Sequence, residues 1–283
     1  MLVECVINVS EGRDLPAVQA IAAEAGGTLL DVHSDADHHR SVLTLGGDPA
    51  DVEQAARAVV GAAVAAIDLA GHQGVHPRFG AADVVPFVPL DPDDGLDTAL
   101  SLRARFAAWA GATLAVPCFL YGPERPLPEV RREAFRTLTP DTGPPSPHPT
   151  AGATAVGARP PLVAYNLWIS MQEGGTADNG GAVELARSVA AAIRSPAVLS
   201  LGLPMAEGAQ VSCNLVDPLT TDLAALVDAV GHLVGEAGGR VDRLELVGLL
   251  PAAMLRTVPP RRWSELSVSE EQTVEARLAA PVG

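Results

Sequence analysis

Five of the seven histidines fall between residues 33 and 76: His33, His38, His39, His72 and His76. Asp31, Asp35, Asp37, Arg40 and Arg78 accompany them. Imidazole exchanges protons near neutrality, and guanidinium can grip a carboxylate through two parallel hydrogen bonds. These residue types suit general acid/base catalysis on an anionic substrate, with one histidine moving protons and Arg40 and Arg78 holding carboxylates. The same residues also read as a metal site, since His33-x-Asp35-x-Asp37-His38-His39 and His72-x-x-x-His76 offer nitrogen and oxygen ligands in excess. However, Gly74 and Pro77 spoil the helical geometry that i, i+4 ligation requires, so no metal is assigned. A polar loop without any ligand is the remaining reading.

The elements that must position these residues follow from periodicity. Residues 72–81 carry Gly74, Pro77 and Gly80, then run directly into the apolar strand 82–90, the arrangement of a reactive loop held by a rigid element. Residues 2–8 read as a strand, and Asp14 and Pro16 open a helix to residue 25 with Asp14 as its N-cap. Ser10-Glu11-Gly12-Arg13 between them either touches a ligand or merely leads into the helix. Strands at 28–33 and 41–46 and a helix at 48–70 complete a β-α-β-β-α-β order, which a helix at 97–110, a strand at 113–121 and a helix at 129–136 extend. Residues 140–149 hold too many prolines for regular structure and mark a linker or a binding loop. Residues 152–159 are small, as where a backbone closely approaches a planar ligand.

Beyond that point the pattern restarts, with strands at 162–168, 197–203, 209–216 and 241–246 and helices at 181–193 and 220–233. The fold class is α+β: two tandem βαββαβ (ferredoxin-like) sandwiches, each an antiparallel sheet with helices on one face, and a ligand groove between them. The domains are residues 1–158 and 159–283. The charged tail from Pro259 onward receives no function.

Composition removes several classes. The net charge of −15 comes from 34 acidic and 19 basic residues, and every basic residue is arginine. Without lysine there is neither a Schiff-base nor a P-loop mechanism. The acidic balance argues against nucleic acid and anionic membranes as partners. Cys5, Cys118 and Cys213 lack any metal-ligand spacing and read as buried thiols in a reducing compartment. Neither a secretory signal nor a membrane span is legible, so a cytoplasmic location is expected.

Several segments together resemble glutamate formimidoyltransferase, the formiminotransferase domain that also occurs fused to a cyclodeaminase. They are Cys5-Val-Ile-Asn8-Val-Ser10-Glu11-Gly12-Arg13, Asp37-His-His-Arg40-Ser-Val, His76-Pro-Arg78-Phe-Gly80-Ala-Ala-Asp83, Val116-Pro-Cys-Phe-Leu-Tyr-Gly122, Gly152-Ala-Thr154, Gly157-Ala-Arg159 and Gln210-Val-Ser-Cys-Asn214. The resemblance implies formimino transfer from formiminoglutamate to N5 of tetrahydrofolate as co-substrate, in histidine degradation and one-carbon metabolism. It also implies a homodimer of paired α+β subdomains, here without the cyclodeaminase.

On that resemblance His76 is the catalytic residue. Gly143, Pro144, Gly152, Asn8 and Asn214 meet the folate, and Arg40, Arg78, Arg159 and His33 meet the substrate. The chain departs from the family's pattern at His33 (Asp), His39 (Asn), Val75 (Glu), Ile7 (Pro) and Ala151 (Trp). Two alternatives accompany the transferase reading: a non-catalytic or substrate-divergent folate-binding homologue, and a metal-dependent hydrolase using the His/Asp cluster.

Overall fold

The alternating run Val3–Val9 forms β1, and its odd-numbered side chains Val3, Cys5, Ile7 and Val9 are fully buried in the core beneath the helices. This computed structural model describes residues 1–74, 78–91, 94–171 and 179–280. The chain divides into two units, Met1–Pro160 and Pro161–Pro281, each with its own apolar core.

In the first unit β1 is followed by α1 (Leu15–Ala23), β2 (Leu29–Asp35), β3 (Arg40–Gly47), α2 (Pro49–Ala66), β4 (Ala82–Pro89), α3 (Asp97–Trp109), β5 (Cys118–Tyr121), α4 (Leu127–Glu133) and β6 (Thr154–Ala158). The sheet order is β2-β3-β1-β4-β6-β5. Its first four strands are antiparallel and make the expected βαββαβ sandwich, while β4, β6 and β5 run parallel. Residues from α1, α2 and α3 share one core with β1, β3 and β4. Helix α4 covers the other face at the added strands, where Val130 packs with Val84, Phe119, Tyr121 and Ala155. The first sheet is therefore mixed and covered on both faces at one end, a departure from the purely antiparallel, one-sided sandwich expected.

Two local readings also change. Strand β5 starts only at Cys118, because α3 runs on through a π-helical turn at Ala110–Leu114 and leaves it at Ala115, whose φ is +53°. Residues 154–158, expected as a ligand-approach segment, form the buried strand β6 between β4 and β5. Gly157 is small because a Cβ there would collide with the ring of Tyr121. Gly157→Ala is therefore expected to destabilise the protein by about 1–3 kcal/mol through overpacking, read as a lower urea midpoint. An unchanged midpoint would mean that the ring does not lie there.

The second unit contains β7 (Val163–Met171), α5 (Asn179–Ile193), β8 (Val198–Pro204), β9 (Ala209–Leu215), α6 (Leu223–Glu236) and β10 (Gly239–Val247), followed by α7 (Ala252–Leu255) and α8 (Val274–Ala279). The order β10-β7-β9-β8 is antiparallel throughout. The C-terminal tail contributes to this core: Leu266 and Val268 are buried in it, and the Tyr165 hydroxyl donates to the Leu266 carbonyl at 2.6 Å. Among the described residues no helix is long and apolar enough to cross a membrane.

Candidate functional site

Four connections of the first unit converge at one end of its sheet. After β1 the Ser10 N–H and hydroxyl donate to the carbonyls of Ala81 and Gly80, both at 2.8 Å. The loop before β6 is sewn to the loop before β4: Leu69 N–H donates to Thr150 (2.9 Å), Ala81 N–H to Ala151 (2.9 Å) and Ala153 N–H to Phe79 (3.0 Å). Gly80 and Gly152 face each other at an antiparallel bridge, and a Cβ on Gly80 would collide with the Ala153 carbonyl. These glycines are needed for close backbone approach.

The β2–β3 turn joins the same cluster. Asp35 accepts the His38 N–H at 2.7 Å, and Arg13 reaches across from the β1–α1 turn to the Ala36 carbonyl at 2.9 Å. Arg78 donates to the carbonyls of His38 (2.8 Å) and Gly74 (3.2 Å), binding the loop before β4 to this turn. Gly74 sits so close that a Cβ would strike the Arg78 guanidinium and, at 2.7 Å, the His38 carbonyl.

Within the cluster Glu11 is held rigidly. Its Oε1 accepts the N–H groups of Gly12 (2.9 Å), Arg13 (2.8 Å) and Asp14 (2.9 Å), while Asp14 caps α1 by accepting from Ala17 at 3.1 Å. Burial pulls the Glu11 pKa upward, but those N–H groups and neighbouring His39 outweigh it and leave the carboxyl below its ordinary value. His39 Nε2 lies 3.0 Å from the same oxygen, and its ring stacks on His72 with centroids 3.7 Å and planes 22° apart. Their Nδ1 atoms are 3.2 Å apart, an oblique contact given the stacking. Burial, Arg78 and His39 push the His72 pKa down to about 4, so this ring is neutral at physiological pH. One ligand atom each from Glu11, His39 and His72 lies within 4.8 Å of the other two.

A second polar group sits beside it. Asp83, 1% exposed, accepts the Phe79 N–H at 2.9 Å and pairs with Arg40 (3.0 Å) and Arg131 (2.6 Å). Arg40 also donates to Asn8 Oδ1 at 3.1 Å. Burial lowers the Arg40 pKa, against the pull of Asp83 and with the push of Arg131 and Arg78. Arg40 and Asn8, singled out separately from the sequence, are thus bonded to each other.

The other expected site residues scatter more widely. His33 is half-buried on β2, on the sheet face that Val42 shares by register. Gly143 (φ +85°) packs against Gly111, and Pro144 follows it half-buried. Gly152 (φ +67°) exchanges backbone hydrogen bonds with His148 at 2.7 and 3.0 Å. Arg159 donates to the Pro160 carbonyl at 2.9 Å, and Asn214 is exposed on β9 of the second unit. His76 lies outside the described residues, as does Val75. Reasoning from sequence missed the role of Glu11 and Asp83. Glu11 had a legible signal: an acidic residue directly before the first turn of α1, where N–H groups have no helical partner.

The three cysteines are free and buried, as their apolar context implied. Burial pushes the thiols of Cys118 and Cys213 up to about 12 and that of Cys5 well above its ordinary value, so none serves as a nucleophile.

Residues 2–159 match the family model described as formiminotransferase domain, N-terminal subdomain. The chain is 35% identical over 280 residues to glutamate formimidoyltransferase of Streptococcus pyogenes serotype M1, covering 90% of each. It is 34% identical over 282 residues to glutamate formimidoyltransferase of Thermoplasma acidophilum, covering 90% of this chain and 89% of that protein. Formimidoyltransferase-cyclodeaminase of Gallus gallus is also 34% identical over 282 residues, with 88% of this chain aligned to 50% of that protein.

Proposed function

The chain belongs to the formiminotransferase family, and from that premise we propose that it moves a formimino group from formiminoglutamate to N5 of tetrahydrofolate, releasing glutamate. The observation that carries this reading is the nearly end-to-end likeness to proteins named glutamate formimidoyltransferase. Tetrahydrofolate enters as co-substrate, and within the first unit Asn8, Gly143, Pro144 and Gly152 are its contacts. The sheet face opposite the helices offers a mixed surface for a polar heterocycle: half-buried Val6, Asn8 and Val42 share it with His33, Thr44 and Arg40, which already donates to Asn8 Oδ1.

The chemistry asks for proton transfer and for juxtaposition. Attack of N5 on the amidine carbon forms a tetrahedral intermediate, and an imidazole takes the N5 proton and returns one to the departing glutamate nitrogen. His76 supplies that imidazole. Arg40, Arg78, Arg159 and His33 meet the glutamate carboxylates. Holding two substrates together provides most of the remaining acceleration.

Steady-state assay of the purified protein with formiminoglutamate and tetrahydrofolate is expected to show turnover saturable in both. Folded protein that binds tetrahydrofolate in calorimetry yet shows no turnover above background would instead make it a non-catalytic folate-binding homologue.

A further inference from the structure

We propose that Glu11, His39 and His72 form a site for one divalent transition-metal ion of the zinc or cobalt type, which staples together the β1–α1 turn, the β2–β3 turn and the loop before β4. This goes beyond the transfer reaction and does not depend on it. The donor set is two imidazoles and one carboxylate, the combination that binds zinc with a fourth position left for water, and that also suits other first-row metals. It joins three segments distant in the chain, unlike the His72/His76 spacing that the sequence offered.

Two observations support the site. One ligand atom from each residue already lies within 4.8 Å of the other two, and His39 Nε2 stands 3.0 Å from the Glu11 carboxylate. Four-coordinate zinc with bonds of 2.0–2.1 Å needs donors about 3.4 Å apart. Turning the stacked imidazoles of His39 and His72 toward a common point closes the difference, while the three N–H groups on its Oε1 hold the Glu11 carboxylate in place.

Second, His72 Nε2 is buried without a hydrogen bond of normal geometry among the described residues, the ring feeling only the Ser10 backbone, although a buried polar atom ordinarily has a full partner. An ion or its bound water supplies that partner. The Arg78 guanidinium, a nearby cation that opposes an ion, is engaged by the carbonyls of His38, His39 and Gly74.

The test is cobalt(II) titration of the full-length, chelator-treated protein, followed by visible absorption, with zinc displacement and thermal unfolding alongside. Expected are one equivalent bound with the intense bands of a four-coordinate ion, and an unfolding midpoint raised by zinc. His39→Asn and His72→Gln should each weaken binding about 10–100-fold and abolish the zinc-induced rise. His39 has φ +50°, a conformation asparagine adopts readily, so His39→Asn keeps the turn. His232→Asn, at an exposed position on α6, serves as control and should bind like the wild type. Absence of binding in the wild type, or binding unaffected by both cluster substitutions, would overturn the site.

Discussion

His76→Ala is expected to lower kcat by about 10²–10⁴-fold, the usual contribution of a positioned acid/base group. The urea midpoint should stay near that of the wild type. On the N-terminal side Gly74 is pressed against the His38 carbonyl, and on the C-terminal side Arg78 is bonded to the same carbonyl and Gly80 to the β6 loop. Those anchors are backbone and arginine contacts that the substitution leaves alone, so a loss of activity with stability retained isolates the imidazole. KM for either substrate should change little, because the lost interaction belongs to the transition state. A kcat within threefold of wild type would remove His76 from the chemistry.

Asp83→Ala should have the largest effect on stability, a loss of about 3–5 kcal/mol, since it strips the partner from buried charge. Asp83 is 1% exposed and faces two guanidinium groups, Arg40 at 3.0 Å and Arg131 at 2.6 Å. Without the carboxylate the two cations repel each other in a poorly solvated place, and the Phe79 N–H also loses its acceptor. Asp83→Asn keeps an acceptor for Phe79 while removing the charge, so it should fall between alanine and the wild type. The loss would be a large fraction of a typical 5–15 kcal/mol. Guanidinium denaturation measures it, and a change below about 1 kcal/mol for Asp83→Ala would mean that the arginines are paired adequately elsewhere.

Much of the architecture was legible because it rests on local periodicity. The runs Val3–Val9, Arg40–Gly47 and Ala209–Leu215 alternate or are β-branched, and the helices between them carry apolar stripes, so both βαββαβ orders could be read directly. Strand β6 was not legible, since three of the five residues in Thr154–Ala158 are Ala or Gly, which strands disfavour. Its identity comes from hydrogen bonding to β4 and β5 on either side, and its small side chains from the Tyr121 ring lying across Gly157. The sequence likewise marked residues 140–149 as irregular, a linker or a binding loop, without showing what holds them. Pairing of the Asp141 and Thr142 N–H groups with the Cys118 carbonyl, and of Ala151 with Ala81, fastens the two ends of that stretch to the first unit.

For the site itself, residue types alone determined the chemistry on offer: a dense group of imidazoles and carboxylates in the first unit, arginine as the sole cation, and thiols embedded in apolar runs. What only the tertiary structure decided is which of these groups meet. His39 and His72 are 33 residues apart, and nothing in their spacing brings them together. A positive φ at His39, a glycine at 74 that permits backbone contact, and an arginine that binds one loop to the other bring them into contact. Proton chemistry and ion binding depend on separations of a few ångströms, and long-range packing sets those separations where no periodicity records them.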